Sequence, residues 1–192
     1  MHYFLKEGFV MAAAKMFSVR NMVFTALFSA VLAAVAPFSV NVGPVPLTFA
    51  TLIIYITAGA LGWKQGVLAV FVYLLLGAVG IPVFSGFRGG FQVIAGVTGG
   101  YIIGYFPLAL ATGIAADYFG KKAIMLILAM VIGTVLLYTV GTAWFMIVTG
   151  NSLAASLAVC VIPFLPGDAA KIIAASVISP KLRKAIHKTG NI

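Results

Sequence analysis

"SLAASLAVCVIPFLPGDAAKIIAASVIS", residues 152–179, decides how many times this chain crosses a membrane. As one straight helix it would be about 42 Å long at 1.5 Å per residue, too long for a hydrocarbon core of about 30 Å. As two crossings, each half is too short. Pro166-Gly167 predicts a break in any single helix through the stretch. One crossing, preceded by a re-entrant or interfacial segment over 152–165, fits best. The stretch also carries Asp168, one of three acidic residues in the chain, and Lys171 one turn later. Charge is costly inside a span, so both residues need a reason to be there.

The rest of the chain has the same character. Of its 192 residues 63% are hydrophobic and 8% are charged, against roughly 25% charged in soluble domains. This excludes an ordinary soluble fold and predicts an all-α integral membrane protein, a single membrane domain over 1–192. Apolar runs cover about 21–36, 47–62, from after Gln65 to about Val79, 93–116 and 123–148. With the last segment they make six transmembrane helices. Residues 1–20 form a cytoplasmic or interfacial lead, with Phe4, Leu5, Phe9, Val10, Ala13 and Phe17 on one face. The apolar run from Asn21 to Val40 has no clear small-residue cleavage site, so it reads as a span and not a signal peptide.

Counting charge sets the orientation. With the N-terminus inside and six crossings, the inner side collects Lys6, Lys15, Arg20, Lys64, Lys121, Lys122, Lys181, Arg183, Lys184 and Lys188, ten of the twelve basic residues. Excess Lys and Arg on the cytoplasmic side is the usual tendency. Seven crossings would put the C-terminal cations outside, so both termini are placed in the cytoplasm. The net charge of +9 is therefore explained by topology, with the lipid bilayer as partner and no nucleic acid. Two cations break the pattern, Arg88 in the outer loop and Lys171 near the outer end of the last span.

Enzyme chemistry finds little support. No histidine lies in a span, and Asp117 and Asp168 fall at opposite boundaries, so neither a serine–histidine nor an aspartate pair can form. There is no P-loop, no metal-ligand cluster and no sign of a cofactor. His2 and His187 lie in the tails, and Cys160 reads as a buried inert thiol. The residues suit a ligand site instead. Asp168 and Lys171, at i and i+3, share a helix face. They form either a salt bridge alone or a polar site that suits an anion and an N–H donor. In "IPVFSGFRGGF", 81–91, Arg88 can grip a carboxylate. Phe84, Phe87 and Phe91 supply apolar walls there. "GVTGGYIIGY", 96–105, reads as a close-packing helix face, with Thr98 and Tyr101 as polar lining. Ala26, Ala30 and Ala34 make a small-residue stripe that faces either the bundle or another protein.

Four stretches in order, "GPVPLTFATL", "GIPVFSGFRGGF", "GVTGGYIIGY" and "LPGDAAK", resemble the BioY family, the biotin-specific S-components of energy-coupling factor (ECF) transporters. The resemblance spans about 20–185. It implies the six-helix S-component fold, with biotin held near the outer face of a prokaryotic plasma membrane. It implies that Asp168, Lys171 and Arg88 are substrate-binding, and Thr48, Phe84, Phe87, Thr98 and Tyr101 are expected to bind substrate with them. It implies that Ala26, Ala30 and Ala34 dock on a transmembrane coupling subunit, whose two ATPase partners use ATP. The family commonly has glutamine where this chain has Ala50, and "GPTGG" where it reads "GVTGG". These departures leave biotin and a close analogue such as dethiobiotin as candidate ligands. The competing readings are a stand-alone oligomeric facilitator and a non-transporting scaffold.

Overall fold

A computed structural model describes residues 18–40, 44–119 and 122–188. The expected lead falls outside the described residues over 1–17. Helix α1, Val19–Val35, opens at Ser18, whose hydroxyl accepts from the Asn21 N–H. Its inward face carries Thr25, Ser29 and Leu32. The Ser29 hydroxyl donates to Ala69 O at 3.1 Å, a hydrogen bond of the kind that ties helices together where water is absent. Ala26, Ala30 and Ala34 lie on the opposite, exposed face.

The chain then turns through a short antiparallel ladder, β1 (Ser39–Val40) and β2 (Leu47–Thr48), with Ser39 opposite Thr48. Helix α2, Ala50–Leu61, packs against α1 and three later helices. Eight of its twelve residues are buried. At about 18 Å it is too short to cross a bilayer core unaided. Gly62, at φ 87°, turns the chain directly into α3, Trp63–Ala78. A side chain at Gly62 would collide with the Asp117 carboxylate.

After the glycine loop come α4, Phe91–Ala95, and α5, Gly99–Phe119. Helix α6, Ala123–Thr149, runs alongside α5. Gly100 lies against Trp144, and a Cβ at Gly100 would overlap that side chain, so the "GVTGG" segment serves close packing. Helix α7, Leu153–Cys160, a 3₁₀ turn over Ile162–Phe164, and α8, Leu165–Lys188, complete the chain. Helices α5 and α6 and the stretch Leu153–Lys188 are long and apolar enough to cross a membrane. Helices α1, α2 and α3 are apolar but shorter.

The structure differs from the sequence reading in four places. The fold is mostly helical but not all-α, because Ser39–Val40 and Leu47–Thr48 pair. The second helix therefore starts at Ala50 and not at 47, since Leu47 and Thr48 are engaged in the ladder. The expected fourth span from about 93 is divided at Gly96-Val97-Thr98 into α4 and α5. The break in the last segment lies at Val161–Phe164, around Pro163, and not at Pro166-Gly167. Pro166 is instead the second residue of α8, where the missing N–H costs nothing because the first turn has no internal partner for it.

Candidate ligand site beneath the glycine loop

The loop over 81–90 is folded onto the helices. Phe84 and Arg88 exchange backbone hydrogen bonds of 2.9 and 3.2 Å, closing a tight hairpin. Gly86 and Phe87 sit at φ 71° and 57°, the left-handed region. Three bonds pin the hairpin down. The Gly86 N–H donates to Pro37 O, the Gly90 N–H donates to Gly77 O, and the Ser85 and Ser39 hydroxyls meet at 2.7 Å. Phe84 is buried, edge-on to Tyr73 at 5.6 Å, over the space that Gly77 leaves without a side chain.

Beneath this hairpin lie two small chambers. The first, about 40 Å³, is lined by Phe84, Arg88, Thr98 and Tyr73. The second, about 50 Å³, is lined by Asp168, Lys171, Tyr138, Thr51 and Phe164. They share a wall of Val45, Pro46, Thr48, Tyr101 and Tyr105. Small-molecule sites usually measure about 300–1,000 Å³, so a ligand occupying both chambers would have to part that wall. Arg88 and Thr98 also line an outer groove of about 360 Å³.

The two ends differ in their chemistry. Asp168 is 5% exposed. Its Oδ1 accepts from Lys171 Nζ at 2.9 Å, and its Oδ2 accepts from the Tyr138 hydroxyl at 2.5 Å. The ammonium also donates to Thr48 O at 2.8 Å and to Thr51 Oγ1 at 3.1 Å. An ammonium has three donors, so Lys171 is fully engaged. The carboxylate has about four acceptor positions, of which two are used, so it can still accept N–H groups. Among the described residues, Arg88 donates only its Nε, to Ser85 O at 3.1 Å, out of five guanidinium donors. Tyr101 stands between the chambers, with its hydroxyl 3.2 Å from Thr142 Oγ1. It fits there because Gly141 has no Cβ to strike its ring.

Of the residues singled out in the sequence, Phe84, Arg88, Thr98, Thr48, Tyr101, Asp168 and Lys171 line these adjoining chambers. Phe87 does not. It is 59% exposed and packs edge-on against Phe38 at 5.3 Å, because its left-handed backbone turns the ring outward. Phe91 is also exposed. Sequence reading missed Tyr138, Thr51, Tyr73 and Tyr105. A hydroxyl inside an apolar run was the available signal, but their meeting depends on helix packing that no local spacing encodes.

These features define a helical membrane protein with a small polar site beneath a glycine-rich hairpin. The chain belongs to the BioY family, whose model matches residues 11–188. It is 40% identical over 158 residues to a probable biotin transporter BioY of Pyrococcus horikoshii, covering 82% of this chain and 93% of that protein. It is 34% identical over 167 residues to the biotin transporter BioY of Thermotoga maritima, covering 86% and 97%. A crystal structure of the S-component for biotin from an ECF-type ABC transporter is similar with a TM-score of 0.81 at 26% identity, covering 86% of this chain and 92% of the other.

Proposed function

We propose that this chain is the biotin-capturing S-component of an ATP-driven ECF importer. It would cross a prokaryotic plasma membrane six times with both termini in the cytoplasm. Biotin carries a carboxylate at one end and a ureido ring with N–H donors at the other, joined by an apolar thioether ring and chain. The observation that carries the reading is the chemical asymmetry of the two chambers. Lys171 has no donor to spare, while Asp168 can still accept, so the Asp168 end suits ureido N–H groups. Arg88 has guanidinium donors with no partner among the described residues and borders the outer groove, so it suits the carboxylate. Tyr101 and Phe84 provide apolar surface between them.

The outward-facing stripe of Ala26, Ala30 and Ala34 supports docking on a transmembrane coupling subunit, since small residues let a partner helix approach closely. Two ATPases bound to that subunit would supply the energy. Calorimetry of the purified chain with biotin tests the central reading. Saturable binding is expected, with dethiobiotin as the comparison ligand, and no detectable heat with either would overturn it. A large residue at the stripe, Ala30→Trp, should abolish co-purification with the ATPase complex while leaving biotin binding intact.

A further inference from the structure

The opposite end of the bundle holds a second cavity that the ligand site does not use. It is a groove of about 1040 Å³ between the end of α5, the start of α6 and the last turns of α8. Its charged lining is Lys122, Lys181, Arg183, Lys184 and Lys188, with Asp117 as the one acid. Topology accounts for positive charge at this end of the protein. It does not account for the collection of that charge around one concavity.

Asp117 cannot neutralise the groove. Its Oδ1 accepts from Arg183 Nη2 at 2.7 Å, and its Oδ2 accepts from the Trp63 N–H at 3.1 Å. The other acid among the described residues, Asp168, is paired at the far end of α8. Lys181, Lys184 and Lys188 therefore face the groove with no described carboxylate left to pair. Arg183 Nη1 is buried from solvent and has no hydrogen-bond partner among the described residues. A buried guanidinium N–H without an acceptor is costly, and an anionic oxygen would satisfy it. The groove is not purely polar. Ala116, Pro180, Tyr118 and Phe119 form part of its lining, and Tyr118 is 76% exposed. An amphipathic aromatic beside cations is typical of the level where hydrocarbon meets headgroups.

We propose that this groove binds the phosphate headgroup of an anionic membrane lipid. The cations and Arg183 Nη1 hold the phosphate oxygens, and the aromatic and apolar residues lie against the glycerol and the first acyl carbons. The mixed lining favours a lipid over a soluble phosphate. The inference rests on the six-crossing reading only in that this end of the bundle meets a headgroup layer, and it is independent of biotin.

The test is native mass spectrometry of the purified full-length chain with equimolar phosphatidylglycerol and phosphatidylcholine of matched acyl chains. Retention of phosphatidylglycerol about tenfold over phosphatidylcholine is expected, falling to about equal in K181Q/K184Q/K188Q. R20Q/K64Q/R88Q removes the same charge at described positions outside the groove lining and should keep the preference. Millimolar inorganic phosphate should not displace the lipid. Thermal unfolding of the triple variant checks its fold, and single K184Q and K188Q variants, each lowering the preference about twofold or threefold, stand in if it unfolds. Equal retention of both lipids by the parent chain would overturn the proposal, and it is the outcome expected if the groove instead takes an acidic segment of a partner protein. Equal loss in the two triple variants would reduce the effect to net charge. Displacement by phosphate would mean a soluble-anion site.

Discussion

Helix α8 carries an ion pair near each end, and the two pairs serve different purposes. Asp168–Lys171 lies within one helix, with side chains 8% and 11% exposed. Asp117–Arg183 joins α5 to α8, with side chains 31% and 22% exposed. Both salt bridges are short, at 2.9 and 2.7 Å. What separates them is their surroundings. The first is enclosed and almost saturated by Tyr138, Thr48 and Thr51. The second sits in an open groove among surplus cations. Enclosure makes each partner depend on the other, because a buried charge left alone is expensive. Exposure lets water replace a lost partner. Pair geometry by itself therefore says little about what a pair does, and burial says more.

The sharpest way to break the comparison is to remove one partner at the enclosed end. Asp168→Ala leaves the Lys171 ammonium with neutral acceptors alone, and should cost about 3–5 kcal/mol of stability. Biotin binding should fall beyond detection by calorimetry. The double variant Asp168→Leu with Lys171→Met removes both charges and should be more stable than Asp168→Ala, since neither charge is stranded. It should still fail to bind biotin. If it binds as the parent chain does, the pair is only structural and the scaffold reading gains.

The two ends of the ligand site can be separated next. Arg88→Ala removes an exposed side chain with one backbone contact, so thermal stability should hardly change. Biotin affinity should drop by about 1.5–3 kcal/mol, the usual value of a hydrogen bond to a charged group. A biotin amide lacks the carboxylate charge, so its weaker binding should be insensitive to this substitution. If Arg88→Ala weakens the acid and the amide equally, Arg88 does not hold the carboxylate. Tyr138→Phe should have a smaller effect, about 0.5–1.5 kcal/mol in biotin affinity, because Asp168 keeps Lys171 as a partner.

Tyr138 also marks where sequence reading stopped. The helix positions were legible because long apolar runs must be helices in lipid, where every backbone group needs an internal partner. Asp168, Lys171 and Arg88 stood out because charge is rare and costly in such a chain. Tyr138, Thr51 and Tyr105 carry no such cost in isolation, and they reach the site only through the packing of α6 and α2 against α8 and of α5 against α2 and α6. The placement of the break at Pro163 was equally hidden, since two prolines three residues apart offered the same signal. Helix starts tolerate proline, and that decided it for Pro163 as the disruptive one. Phe87 misled for a backbone reason. Phe84 in the same hairpin is buried, but a left-handed residue at 87 turns its ring outward.

The smallest effect is expected at the open end. Asp117→Asn keeps an oxygen that can accept from the Trp63 N–H and removes only the charge facing Arg183. Both side chains are partly solvated, so the loss should be about 0.2–1 kcal/mol, and added salt should narrow the difference further. Biotin binding should be unchanged, because α8 separates the two pairs by most of its length. The same substitution frees Arg183 Nη2 and makes the groove more positive, so retention of phosphatidylglycerol should rise. Thermal unfolding, calorimetry and native mass spectrometry on this one variant read all three quantities. A stability loss near that of Asp168→Ala would show that Asp117 is as constrained as the enclosed acid, and the contrast between the two ends of α8 would fail.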